Sequence, residues 1–269
     1  MSNGRDLRLY GLGLAVFLFF AADAYPAAII VDLGTADAFA ILAGSTVTNT
    51  GATIVHGNLG VSPGSAVTGF PPGILTAGAI HIADAVALQA QSDLTTAYNF
   101  AAGEVCNSNL TGQDLGGLTL TPGVYCFSSS AQLTGTLTLN ALGNPNSVFL
   151  FQIASALTTA SNAAVSFANG GQGDAVFWQV GSSATLGTTT AFAGNILALT
   201  SISLNTGANI QCGRALARNG AVTMDTNTVS IDTEGCEVTG ATTTVPEPST
   251  ASLILLIGVP GMLLLRKLF

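Results

Sequence analysis

Along most of the chain, apolar residues come in short runs or alternate with small polar ones, and Gly, Asn, Pro and Ser separate the runs. LTLTPGVYCF, LTGTLTLN, SVFLFQI, AVFWQV and VTMDTNTVSI are the clearest cases. Short runs of this kind, bounded by turn residues, predict strands. One segment keeps a different rhythm. Residues 79–103, AIHIADAVALQAQSDLTTAYNFAAG, are Ala-rich and free of Pro, and they place Ile82, Val86, Leu94 and Tyr98 at helical spacing. They predict one long helix, with Gly103 as its stop.

The strands also recur at a regular distance. Placing Thr206 over Thr188 puts Leu204 over Leu186 and Ile210 over Phe192, and placing Thr226 over Thr206 puts Met224 over Leu204. These steps are 18 and 20 residues; the step from Thr159 to Thr188 is 29 because the loop ANGGQGD intervenes. A period near 20, built of short strands and tight turns, predicts the coils of a β-solenoid. Leu186, Leu204 and Met224 are expected to stack inward. The recurring threonines are expected outside, one strand spacing of about 4.8 Å apart. The Gly, Asn or Asp before each Thr suits a corner.

Composition fits flat, stacked coils. Of 269 residues 48% are hydrophobic and 7% charged, against about 25% charged in ordinary globular domains. Thr, Ser, Asn and Gly must therefore tile the surface. Arg5, Arg8, Arg266 and Lys267 lie near the two ends, which leaves only Arg214 and Arg218 between them and no Lys. Nucleic acid is excluded as a main partner, because neutralising a phosphate backbone takes several Lys or Arg. The acidic residues are scattered and read as solubilising.

Both ends read as addresses. Arg5 and Arg8 precede GLGLAVFLFFAADA, and Ala22-Asp23-Ala24 offers a cleavage site with Ala28 as an alternative. This predicts a secretory signal over residues 1–24. At the other end, Thr250 to Leu265 is an uncharged apolar stretch followed by Arg266 and Lys267, near the short limit for a membrane helix with a cytoplasmic basic end. Val245-Pro246-Glu247-Pro248 directly before it makes this end resemble a PEP-CTERM sorting tail. The resemblance implies a Gram-negative host, processing by an exosortase, delivery to the cell exterior and an association with exopolysaccharide. The expected organisation is a signal over 1–24, a solenoid domain over 29–238, a linker over 239–245 and the sorting tail over 246–269.

Cysteine usage agrees with export. Cys106, Cys126, Cys212 and Cys236 form an even set without CxxC spacing, and three pairings are possible. Cys106 with Cys126 and Cys212 with Cys236 are favoured, since each closes a short loop; each bridge is worth roughly 3 kcal/mol. His56 and His81 are too few and too far from the cysteines for a metal cluster, so neither metal nor cofactor is expected. Asp174, Asp225, Asp232 and Glu234 come nearest to an acidic cluster but sit in loop and turn context. His56 reads as a surface-turn residue, and Trp178 in AVFWQV as buried. No nucleophile–base pattern supports catalysis.

The stretches VDLGTADAFAILAGSTVTNTG, GNLGVSPG, GGLTLTPGVYCFSSSAQL, VFLFQI, AVFWQVGSSATLGTTTAFAGNILALTSISLNTGANI and GRALARNGAVTMDTNTVS together resemble the microbial ice-binding protein family over about residues 31–232. The resemblance implies a right-handed, three-sided β-solenoid of irregular coil order with one long α-helix packed along it. It also implies an ice surface as partner, bound through one flat face that in some members carries a Thr-Ala/Gly-x-Thr/Asn repeat. Thr50-Gly51-Ala52-Thr53, Thr159-Ala160-Ser161-Asn162 and Thr206-Gly207-Ala208-Asn209 match that repeat. Thr188-Thr189-Thr190-Ala191 departs from it, as does Thr226 with Asn227, Thr228 and Val229 after it. The expected ice-contact set is Thr50, Thr53, Thr159, Ser161, Asn162, Thr188, Thr190, Thr206, Asn209, Thr226 and Thr228.

Overall fold

The structure, a computed structural model, describes residues 31–144, 146–170 and 175–232. The expected leader, linker and sorting tail, with Asp174, Glu234 and Cys236, lie outside them. Among the described residues, short strands pair in parallel into a 15-stranded and a 7-stranded sheet, and a single α-helix, Ala85–Gly103, accompanies them.

Successive turns of chain lay their strands into three ladders. The first holds, in spatial order, Ile80–Ile82, Asn58–Val61, Phe39–Ala43, the later halves of Asn209–Ala217 and Ala191–Ala198, Val176–Val180, Phe149–Ile153 and Gly123–Phe127. The second runs Ala131–Leu133, Leu157–Thr159, Ala184–Leu186, Ile202–Leu204, Val222–Met224, Thr46–Asn49 and Ala66–Thr68. The third includes Thr136–Asn140, Ala164–Ala168, Thr228–Ser230, Ile54–His56 and Ile74–Ala77, with the first halves of the two long strands. Those long strands join the first and third ladders into one sheet. They bend at Gly194 (φ 99°) and Gly213, where a Cβ on Gly213 would overlap the Gly194 backbone beneath it.

Coil order does not follow chain order. The coil of Val222–Met224 and Thr228–Ser230 docks on the first coil of the chain, through Thr46–Asn49 and Ile54–His56. The inward column is as expected: Leu186 pairs with Leu204 and Leu204 with Met224, all buried. Each such side chain contributes roughly 1.5–3 kcal/mol through apolar burial. Trp178 is fully buried, stacked on Phe151 at 3.9 Å between ring centroids and donating to the Ala193 carbonyl at 3.1 Å.

Burial patterns separate the ladders. Phe39–Ala43 and Val176–Val180 are buried at every position, whereas Ala184–Leu186, Ile202–Leu204 and Val222–Met224 alternate buried and partly exposed. A strand covered on both faces is buried throughout and mostly apolar; a strand with one wet face alternates. The helix supplies the cover, packing Ala90, Leu94, Ala97 and Tyr98 onto Leu42, Leu150, Phe177, Leu197 and Leu216 of the first ladder.

That helix is shorter than the sequence predicts. It begins at Ala85, with the Asp84 carboxylate accepting from the Ala87 N–H at 2.8 Å as its N-cap, and residues 80–82 instead form an edge strand. Ile82 and Val86, placed on the helical stripe by spacing, are exposed; Leu94 and Tyr98 are buried. The helix ends at Gly103 as expected. The Cys106–Cys126 disulfide is formed, with a Cα–Cα distance of 5.9 Å, and fixes residues 106–109 against Gly123–Phe127.

Candidate functional site

With the first ladder under the helix, the second offers the most uniform open face. Its central outward residues are in direct register: Gln132, Thr158, Thr185, Ser203, Thr223, Thr48 and Thr68. Six of these seven carry a hydroxyl and none is charged. The Thr223 hydroxyl donates to that of Ser203 at 3.0 Å. A flanking row of Ala156, Ser183, Ser201 and Ala221 rises coil by coil beside it, as the hydrogen bonds to their carbonyls show. Ser201 Oγ accepts from the Ala221 N–H at 3.1 Å, which pins that edge. Rows about 4.8 Å apart across the ladder and about 6.8 Å along each strand make a regular grid of methyls and hydroxyls.

The eleven threonine-motif residues do not share one surface. Ser161, Thr188 and Thr206 are exposed at the corner between the second and third ladders, and Thr50, Asn162 and Thr226 are exposed beside them. Asn209 and Thr228 lie further round, paired with each other in the outer row of the third ladder. Thr53, Thr159 and Thr190, expected outside, are buried. The reason is strand parity. Thr159 occupies the inward position matching Leu133 of the next coil, and Thr53 and Thr190 are the inward residues that end the corner. Their hydroxyls satisfy one another or the corner backbone: Thr159 Oγ1 lies 2.7 Å from Thr190 Oγ1, and Thr53 Oγ1 donates to Asn49 Oδ1 at 2.6 Å.

The corner register also differs from the alignment of letters. Thr189 N–H donates to the Thr206 carbonyl, but Gly207 N–H donates to the Asp225 carbonyl. Asp225, not Thr226, therefore fills the slot of Thr206, because this corner is one residue shorter. Thr226 instead takes the left-handed position (φ 56°) held by Thr189 and Gly207 in neighbouring coils. The Asp225 carboxylate accepts from Thr206 Oγ1 at 2.5 Å and Thr226 Oγ1 at 3.1 Å. The Thr206 and Thr226 hydroxyls hold its pKa below the usual carboxylate value.

The third ladder is less uniform. Its outer row runs Thr136, Ala164, Ala191, Asn209, Thr228, Ile54 and Ile74. His56, expected in a turn, ends a strand of this ladder and pairs with Asp232 at 2.8 Å, its other ring nitrogen 2.7 Å from Thr76 Oγ1.

A family profile described as ice-binding-like matches residues 41–230. The chain belongs to that family. An ice-binding protein from Nostoc sp. (strain HG1) is 56% identical over 266 residues, covering 97% of each chain. One from Flavobacterium frigoris (strain PS1) is 38% identical over 215 residues, covering 75% of this chain and 76% of the relative. Among solved structures, an ice-binding protein from an Antarctic biological consortium superposes with a TM-score of 0.72 at 52% identity, over 74% of this chain and 90% of that one.

Within this ice-binding-like chain, the strand-centre row of the second ladder is what motif matching misses. Its signal was nonetheless present. Thr185, Ser203 and Thr223 each precede a member of the Leu186, Leu204 and Met224 column, and so repeat with the same steps of 18 and 20 residues.

Proposed function

We propose that this protein adsorbs to ice through the second ladder, with the corner residues Ser161, Thr188 and Thr206 extending the face at its edge. The observation that carries this reading is the register of Thr158, Thr185, Ser203, Thr223, Thr48 and Thr68 on an uncharged, solvent-facing ladder. Methyl groups at fixed spacing hold water in order, and hydroxyls set its register. Charges on the face would orient water around themselves instead. Because strands pre-order the grid, many weak contacts can sum with little further loss of side-chain freedom. The names of the relatives, ice-binding proteins that include one at 56% identity, support the same assignment.

The three ladders are, in this reading, the sides of a right-handed, three-sided solenoid. The protein is exported by residues 1–24 and sorted by residues 246–269, with exosortase processing leaving the domain at or beyond the surface of a Gram-negative cell, where exopolysaccharide is a candidate neighbour. The Pro246-Glu247-Pro248 tail supports this route.

Thermal hysteresis and inhibition of ice recrystallisation, measured on the exported domain, test the assignment; absence of both at folded, monodisperse concentrations rejects it. Intact mass of surface-extracted protein tests the sorting, and a retained Leu253–Phe269 segment counts against processing.

A further inference from the structure

We infer that Asp225 is a positioning residue for the corner edge of the ice face: it holds the Thr206 and Thr226 hydroxyls against its own carboxylate and so fixes which groups the corner turns to the lattice. The inference rests on the ice-adsorption reading above. Asp225 stands in the slot that Thr188 and Thr206 occupy in the preceding coils, where an open carboxylate would impose its own hydration shell on an ordering surface. Here each oxygen already accepts a hydroxyl. Thr206 Oγ1 donates to Oδ2 at 2.5 Å and Thr226 Oγ1 to Oδ1 at 3.1 Å. The bond from Thr206 crosses from one coil to the next. A Thr with its hydroxyl fixed has its χ1 fixed, and its methyl is held in one place.

The site also lies on the seam where the chain's last described coil docks on its first. Gly51 sits on the far side: a Cβ there would overlap Thr226 Oγ1 and come within 2.8 Å of Asp225 Oδ1. The absence of a side chain at position 51 gives the carboxylate room to reach back to Thr206. One acidic residue thus follows Ser161, Thr188 and Thr206 in the corner row, with the exposed Thr50 of the first coil beyond it across the seam.

The test compares Asp225→Ala with Asp225→Asn in the otherwise unchanged protein, reading thermal hysteresis, the unfolding midpoint and the Thr206 χ1 scalar couplings by NMR. Asn keeps an acceptor of the same reach without the charge; Ala keeps none. The expected result is that Ala roughly halves hysteresis and averages the Thr206 rotamer, because adsorption depends on pre-organised contact groups. Asn is expected to retain most of the activity and a single rotamer, and both variants should unfold in one cooperative transition, Ala below Asn. Full activity in Ala, equal loss in Ala and Asn, or an unaltered Thr206 rotamer in Ala each overturns the assignment. An inactive parent, or a parent unaffected by Thr223→Tyr on the second ladder, instead overturns the face itself, and the role of Asp225 with it.

Discussion

Thr159 and Thr190 meet inside the corner, Oγ1 to Oγ1 at 2.7 Å, although both stand in stretches that read as surface threonine. Thr159 Oγ1 also accepts from the Gly187 N–H at 2.8 Å, and Thr190 Oγ1 approaches the Ala160 carbonyl at 3.2 Å. The pair therefore ties the turn of one coil to the turn of the next from within. Asn49, Thr53 and Asn227 make the corresponding tie where the last coil meets the first, with the Asn227 N–H donating to Thr53 Oγ1 at 3.0 Å.

Thr190→Val should destabilise the protein by about 1–3 kcal/mol, because it strips a buried hydroxyl of its partner. Thr159→Val with Thr190→Val should cost less than the two single changes added together, since the double variant leaves fewer orphaned groups. Urea unfolding of the four members of this cycle measures the coupling. Strict additivity would show that the two hydroxyls do not act as a unit.

Much of this architecture is visible in the sequence, and the misses share a cause. Leu186, Leu204 and Met224 identify the coils because a large apolar residue at constant parity has only one place to go. Thr carries no such information. It suits the outside of a strand, and it suits a corner interior when a backbone group needs a partner, so Thr158 and Thr159 look alike until the inward column is traced through them. The corner that ends in Asn227 is one residue shorter than its neighbour, and an alignment by letters could not see that Asp225 had moved into the slot. The helix was over-extended for a related reason: Ile80 and Ile82 pair with Leu59 and Val61 of the neighbouring coil, a long-range demand that local periodicity does not register.

Acid should loosen the link between the helix and the start of the domain. Asp93 accepts from Thr35 Oγ1 at 2.6 Å, from the Thr35 N–H at 2.8 Å and from Gln89 Nε2 at 2.8 Å. The Thr35 hydroxyl, then its N–H, hold the carboxyl below its ordinary value. A depressed folded pKa means that the stabilisation is fully present above the unfolded value of about 3.9 and is lost as pH falls through the folded one. Asp93→Asn should therefore lower the melting temperature at pH 7, and the gap from the parent should narrow towards pH 2. A gap that stays constant across that range would mean the carboxylate charge contributes nothing.

Trp178→Ala should cost roughly 3–5 kcal/mol, the usual range for removing a large buried aromatic. It empties the stack on Phe151 and also leaves the Ala193 carbonyl without its indole donor. Trp178→Phe should cost less, because most of the ring contact survives. Guanidinium unfolding followed by far-UV circular dichroism ranks the two; equal losses would assign the cost to the hydrogen bond and not to packing.

The ladder itself is tested by placing bulk on it. Thr185→Tyr and Thr223→Tyr set a ring at the centre of the second ladder, where the strand-to-strand grid is continuous on both sides. Either change should lift the face from the lattice and remove most of the thermal hysteresis. Thr206→Tyr, at the corner, should reduce it by less, because the lattice can still meet the strand centres beyond the edge. Thr223→Tyr and Thr206→Tyr also give up the hydroxyl bonds to Ser203 and Asp225, each worth about 1 kcal/mol, so the unfolding midpoint of every variant is measured beside its hysteresis. Thr138→Tyr provides the control: Thr138 is a partly exposed position of the third ladder, its hydroxyl 3.3 Å from that of Ser166. Full hysteresis in that variant and near-total loss in the second-ladder pair is the expected pattern. The reverse pattern would move ice adsorption to the third ladder, where Ile54, Thr228 and Asn209 form the outer row. Equal loss from every variant would show that neither ladder is privileged.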